Sequence, residues 1–217
     1  MNWLNFLKRL PSLFFGLFLF GVGIVTNLQS NLGMMPWGVL HVGIAETTSL
    51  TIGQISQLVG LVVVIMSWRL GFAPGLGTLA NMFFVGFFVD LIIGWNIIPM
   101  QSELAGQLGL LFLSVVIFGA ASLFYLRVQL GAGPRDSLMI GLVKKLDKPV
   151  VYIRGAIEVT VFVLGYLMGG PVGIGTVVTA LTIGFSVQFF FKLGRFSGKS
   201  EQIDLLQLYD FLKKHAR

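Results

Sequence analysis

Leu32-Gly33-Met34-Met35-Pro36 indicates the architecture of this chain, because its pattern returns 98 residues later as Leu130-Gly131-Ala132-Gly133-Pro134. Further glycine and aromatic matches fall at the same offset, among them Phe20-Gly21 with Phe118-Gly119. No gap is needed along about 13–89 of the first copy. The period is longer than the roughly 20–50 residues of solenoid repeats. The sequence therefore predicts two fused halves that share one fold.

The composition is that of a membrane protein. Apolar residues make up 55% of the chain and charged residues 11%, whereas soluble domains carry about 25% charged residues. The mean hydropathy is +0.88. Cysteine is absent, which excludes disulfides, thiol nucleophiles and cysteine-based metal sites. With helical spans of about 20 residues, the chain has room for about six spans and no separate soluble domain.

Two helix-like segments are too short to cross a bilayer. Pro36–Glu46 and Pro134–Leu146 each cover about half of the hydrocarbon core at a rise of 1.5 Å per residue. We therefore predict an all-α membrane protein with two re-entrant or interfacial half-helices at these segments. Six longer apolar segments are the predicted transmembrane helices: 11–29, 52–70, 78–97, 106–126, 150–168 and 176–193.

The repeat divides the chain into four predicted parts. Residues 1–10 form an interfacial segment, 11–97 the first repeat with spans 1–3, and 106–193 the second repeat with spans 4–6. Residues 194–217 form a cytoplasmic tail in which apolar residues alternate with charged ones. This pattern predicts an amphipathic helix on the membrane surface or on a protein partner.

The basic residues predict the orientation of the chain in the membrane. Segments 30–51, 96–105 and 169–175, which alternate with the basic loops, contain no lysine or arginine. The positive-inside rule therefore places both termini in the cytoplasm. The net charge of +6 comes from these segment ends, so we expect no binding to nucleic acid.

Three spans per half is an odd number, so the halves must have opposite orientations. Inverted repeats of this kind are common in transporters, which bind substrates between the halves at the ends of broken helices. The candidate turns contain Gly33 and Pro36 in the first half and Gly131 and Pro134 in the second. Helix N-termini at these turns would offer free N–H groups to a ligand. The alternative is that they are simply turns at helix starts.

The polar residues near these turns are candidate substrate contacts. Arg135, Asp136 and Ser137 follow the second turn, where Asp136 or Ser137 could cap the half-helix and Arg135 suits an anionic group. The alternative is an arginine that extends to the cytoplasmic headgroups together with a capping Asp136. Trp37 and His41 occupy the first half-helix, and His41 could equally be a packed residue.

Two further acids lie within predicted spans. Arg154 and Glu158 are four residues apart on span 5 and share a face, which suggests either a substrate site or a structural ion pair. Glu158 is also a candidate for proton coupling, because a carboxylate in a span is costly unless it is paired or faces a cavity. Asp90 on span 3 is the second candidate, with an interhelical hydrogen bond as the alternative.

No catalytic motif appears in the chain. We therefore expect a non-enzyme with no catalytic residues, no metal site and no cofactor. The expected partners are the lipid bilayer, a small-molecule substrate and a protein that could bind the C-terminal tail.

The two turn regions also carry a resemblance. Leu130-Gly131-Ala132-Gly133-Pro134-Arg135-Asp136-Ser137-Leu138, together with Asn31-Leu32-Gly33-Met34-Met35-Pro36-Trp37, resembles the bacterial YczE/YitT-like integral membrane proteins. The resemblance covers residues 12–193. It implies a multi-pass protein of the bacterial cytoplasmic (inner) membrane, and it brings no established substrate or catalytic residue.

Two functions follow from these expectations. The leading one is a small-solute transporter that works by alternating access between inverted repeats. The alternative is a non-transporting membrane scaffold or the substrate-binding subunit of a larger importer. Co-purification with an ATPase subunit would favour the alternative, whereas proton-driven flux by the protein alone would favour the transporter.

Overall fold

The computed structural model describes residues 3–196 and 202–208, and these residues form helices and loops without any strand. Pro36–Glu46 and Pro134–Leu146 are separate short helices with the predicted bounds. The eight helices, in chain order, are α1 (Trp3–Gln29), α2 (Pro36–Glu46), α3 (Ile52–Arg69), α4 (Leu76–Trp95), α5 (Leu104–Leu126), α6 (Pro134–Leu146), α7 (Val150–Leu167) and α8 (Ile174–Leu193).

Six of these helices are long and apolar enough to cross a membrane. They are α1, from Phe6 onward, together with α3, α4, α5, α7 and α8. The short helices α2 and α6, of 11 and 13 residues, do not reach that length. The chain is therefore a multi-pass integral membrane protein.

The first helix begins earlier than the sequence predicts. α1 runs from Trp3 without a break through Pro11, so the predicted interfacial segment 1–10 is largely its first two turns. Proline in a helix interior removes one backbone hydrogen bond, but its fixed φ angle is still helical. The side chain of Trp3, predicted to lie at the membrane interface, is outside the described residues.

The helices of the two halves pack reciprocally. α1 packs against α5, and these are the first helices of the two repeats. α1 also packs against α4, and α5 packs against α8 in the same way. Each short helix contacts a long helix of the other half, α2 against α7 and α6 against α3. The reciprocity is partial, since α3 packs closely against α4 whereas the equivalent helices α7 and α8 make few contacts. Contacts between the halves and contacts within them therefore contribute to the bundle in similar measure.

The loops before the short helices are fixed by matching backbone bonds. Gly77 N donates to the Leu130 carbonyl at 2.6 Å, and Gly175 N donates to the Leu32 carbonyl at 2.7 Å. These two bonds join repeat-equivalent residues, so each loop is attached to the start of a helix in the other half. Gly131 in this loop has φ +123°, which favours glycine.

The described part of the C-terminal tail packs on the helical bundle. Ile203 N donates to the Gln129 carbonyl at 3.1 Å, and Leu205 N donates to the Pro74 carbonyl at 3.0 Å. Leu208 is buried beside Leu13 and Tyr125. The described tail residues therefore pack on loops and helices of the same chain. Residues 197–201 and 209–217, which hold the rest of the predicted amphipathic helix, lie outside the described residues.

Candidate functional site

A cavity of about 550 Å³ lies between the two halves. All eight helices contribute to its lining, from Phe20 of α1 to Thr179 of α8. The first residues of both short helices line it, Pro36 and Trp37 on α2 and Pro134 and Arg135 on α6. The two turns that the repeat singles out therefore meet at one place.

Neither short helix has a side-chain cap at its N-terminus. The N-cap residues are Met35 for α2 and Gly133 for α6, and neither side chain accepts a hydrogen bond from the helix. The expectation that Asp136 or Ser137 caps α6 is therefore wrong, because the helix begins three residues before Ser137. The first-turn N–H groups beside the cavity have no capping side chain.

Trp37 contacts two charged residues of the other half, Arg135 and Glu158. Its indole Nε1 donates a hydrogen bond to Glu158 Oε1 at 3.1 Å. The guanidinium carbon of Arg135 lies 4.5 Å from the centroid of the Trp37 ring, within the range of a cation–π interaction. Because Trp37 is only 4% exposed, the buried indole places Glu158 at its N–H edge and Arg135 over its face.

Four charged side chains from α6 and α7 line the cavity together: Arg135, Asp136, Arg154 and Glu158. Arg135 interacts electrostatically with Glu158 and Asp136, and Asp136 interacts with both arginines. Among the described residues, none of the four is hydrogen-bonded or ion-paired to another. The structure therefore brings the predicted charged residues together, and an Arg154–Glu158 ion pair, one of the two alternatives for these residues, is not formed.

His41 is a buried polar residue with a face toward the cavity. Its side chain is 4% exposed and is part of the cavity lining. It has no hydrogen bond to any described residue. An unsatisfied imidazole in such a place is costly unless water or a ligand supplies a partner.

Four predicted site residues lie outside the cavity lining: Gly33, Asp90, Gly131 and Ser137. The Ser137 hydroxyl is buried and lies 3.5 Å from the Ala132 carbonyl, to which it donates. Asp90 accepts hydrogen bonds from Thr51 Oγ1 at 2.5 Å and from Gly53 N at 2.8 Å. Asp90 therefore connects α4 to the start of α3.

The sequence reading missed several polar residues of the cavity. Ser122 and Tyr125 on α5 both line it, and the buried Tyr125 hydroxyl donates to the Gly131 carbonyl at 3.1 Å. Together with Phe118 they follow a spacing of four and three residues, which places them on one helix face. That spacing was available in the sequence. Among the described residues, no group of three or more His, Asp or Glu side chains could hold a metal ion.

The chain is similar to several bacterial proteins along most of its length. It is 35% identical over 191 residues to an uncharacterised protein of Haemophilus influenzae, covering 88% of this chain and 87% of the relative. It is 34% identical over 179 residues to the uncharacterised membrane protein YczE of Bacillus subtilis, covering 81% and 82% of the two chains. A second Bacillus subtilis protein, the uncharacterised protein YyaS, is 28% identical over 182 residues, covering 82% of this chain and 90% of the relative.

No solved structure matches the chain. The similarity to YczE confirms the resemblance that the two turn regions carry. The sequence pattern that defines one family, described as a family of unknown function, matches residues 7–192 and so covers nearly all the membrane helices and the cavity. The chain therefore belongs to this family of unknown function, DUF6198.

Proposed function

We propose that this protein binds a small solute in the central cavity and moves it across the bacterial cytoplasmic membrane, without chemical change, by alternating access between two inverted repeats. One observation carries the proposal: a single cavity is lined by the starts of both short helices, Pro36–Trp37 and Pro134–Arg135. Transporters with inverted repeats bind substrates at such interrupted helices.

The reciprocal packing supports the inverted arrangement. Each half contributes three helices of spanning length and one short helix, and an odd number of spans reverses the orientation of the second half. In this proposal α2 enters the membrane from outside as a re-entrant half-helix and α6 enters from the cytoplasm. Both termini are cytoplasmic, in agreement with the basic residues that surround α6.

The topology can be tested because the chain has no cysteine. In intact cells, a membrane-impermeant maleimide should label Thr48→Cys and Ser102→Cys, which are exposed at the proposed outer face. Lys145→Cys, exposed at the end of α6, should be labelled only after the membrane is opened. External labelling of Lys145→Cys would refute the inverted arrangement.

Alternating access is tested at two serines of the cavity lining, Ser56 on α3 and Ser122 on α5. We expect Ser56→Cys and Ser122→Cys to be labelled both in right-side-out and in inside-out vesicles, because each half-cavity opens in turn. Val163→Cys is the control, since Val163 is exposed on α7 outside the cavity and would face lipid. Labelling of both serine positions from one side only would instead favour the static scaffold or the binding subunit.

A further inference from the structure

The ionisable groups of the cavity balance one another. Arg135 and Arg154 supply two positive charges, and Asp136 and Glu158 supply two negative ones. A simple anion would be attracted by both arginines but repelled by both carboxylates. A simple cation would be attracted by the carboxylates and repelled by the arginines. The electrostatics therefore favour a ligand that carries both signs of charge.

These charged groups keep hydrogen-bonding capacity. Glu158 accepts one bond from Trp37, and Arg135 has a cation–π contact with Trp37 but no hydrogen bond to a described residue. Asp136 and Arg154 have no hydrogen bond to any described residue. The unpaired and buried His41 lies in the same cavity. These groups face the open cavity, where a polar ligand can supply the hydrogen-bond partners that the described residues do not.

The rest of the lining is mostly apolar. Phe20, Ile24 and Val85 come from the first half, and Phe118 and Ile183 come from the second. Phe20 and Phe118 lie with ring centroids 6.3 Å apart. A ligand with polar groups alone would leave this surface without contacts, whereas an apolar group would bury against it.

We propose that the cavity binds a zwitterionic small molecule with a compact apolar group, with its anionic end at Arg135 and its cationic end between Asp136 and Glu158. An apolar α-amino acid has this chemistry. The cavity of about 550 Å³ falls within the range of about 300–1,000 Å³ for small-molecule sites. This inference rests on the proposed function, since it names the class of solute.

Two matched sets of probes test the ligand class on the purified full chain in lipid nanodiscs. The first set is phenylalanine, 3-phenylpropanoate and 2-phenylethylamine. The second is leucine, 4-methylpentanoate and 3-methylbutylamine. Within each set the apolar group is constant and only the charged groups differ. We expect at least one amino acid to raise Tm and to bind about tenfold or more tightly than both of its singly charged analogues, because each lost charged contact weakens binding.

Variants that each remove one charge from the cavity provide the sharper test. Arg135→Gln leaves the cavity with one excess negative charge, so its preference should move toward the amine. Glu158→Gln leaves one excess positive charge, so its preference should move toward the carboxylate. A variant that is only less stable would weaken all three probes alike. Arg127→Gln is the matched control, because Arg127 is exposed and lies outside the cavity.

The outcomes separate this inference from the proposed function. Opposite shifts in Arg135→Gln and Glu158→Gln support the zwitterion site. Failure of both amino acids to bind, equal binding of a singly charged analogue, or the same preference in both variants would overturn it. If the ligand test fails but Ser56→Cys and Ser122→Cys are labelled from both sides, the proposed transport function is still supported. The solute would then belong to another chemical class.

Discussion

The replacement Trp37→Phe separates the two contacts by which the ring holds the charged residues. Its Nε1 donates to Glu158 Oε1 at 3.1 Å, while its face lies 4.5 Å from the Arg135 guanidinium carbon. Phenylalanine keeps an aromatic face for Arg135 but has no N–H group. The substitution therefore removes the hydrogen bond to Glu158 and keeps a weaker cation–π contact.

The expected coupling follows from the burial of Trp37 and from the carboxylate acceptor of its hydrogen bond. A hydrogen bond to a charged group contributes about 1.5–3 kcal/mol in soluble proteins, whereas polar contacts between membrane helices average about 0.6 kcal/mol and reach about 1.7 kcal/mol. Trp37 is 4% exposed and its acceptor is a carboxylate, so we expect a coupling of about 1–2 kcal/mol. Trp37→Phe alone should cost more, because the smaller ring leaves a void beside Leu40 and Val161.

A double-mutant cycle with Glu158→Gln isolates the coupling from the void. The free energy of unfolding is measured by reversible denaturation in mixed micelles for the parent, the two single variants and the double variant. A control cycle pairs Glu158→Gln with Trp68→Phe, since Trp68 is 64% exposed on α3. A Trp37–Glu158 coupling that is no larger than the control, within about 0.3–0.5 kcal/mol, would refute the bond and the fixed position of Glu158.

Two further predictions use repeat-related or matched positions in the same denaturation assay. Gly131→Ala should lower the free energy of unfolding by more than about 2 kcal/mol, because Gly131 has φ +123° and a methyl group would overlap its neighbours. The control is Gly155→Ala, which has free space for a methyl group and should be neutral or slightly stabilising. Equal effects of the two substitutions would contradict the turn geometry. Thr78→Val should cost about 1–3 kcal/mol, because the Thr78 hydroxyl donates to the Ala132 carbonyl at 2.6 Å. Thr176→Val should destabilise the protein less, since the Thr176 hydroxyl accepts a bond from a backbone N–H but donates none to the other half. A larger effect of Thr176→Val than of Thr78→Val would contradict this prediction.

The bounds of the two short helices could be predicted from local chemistry. α2 and α6 begin at Pro36 and Pro134 as expected, because proline suits the first helical position and cannot follow a helical turn without cost. The same rule failed at Pro11, which lies inside α1. A proline predicts a helix start only when the preceding residues do not themselves form a helix, and residues 3–10 do.

The charged residues of the cavity could also be predicted, but their partners could not. Arg154 and Glu158 share a helix face by their spacing alone, and both reach the cavity. The bond between Trp37 and Glu158 depends on how α2 packs against α7, which no local pattern encodes. For the same reason the sequence left two alternatives for Asp90, a proton site or an interhelical hydrogen bond, and the structure shows the hydrogen bond, to Thr51 at the start of α3.

The repeat explains why the site has two chemically different sides. Trp37 and Arg135 are equivalent positions of the two halves, and they contact each other at 4.5 Å. The equivalent of Glu158 is Gly60, and both line the cavity. The shared fold therefore brings these positions together whether or not they carry charge. Since the equivalent positions of the first half carry no such charges, the shared fold does not require them. Under the proposed function, a ligand whose two ends differ accounts for their presence.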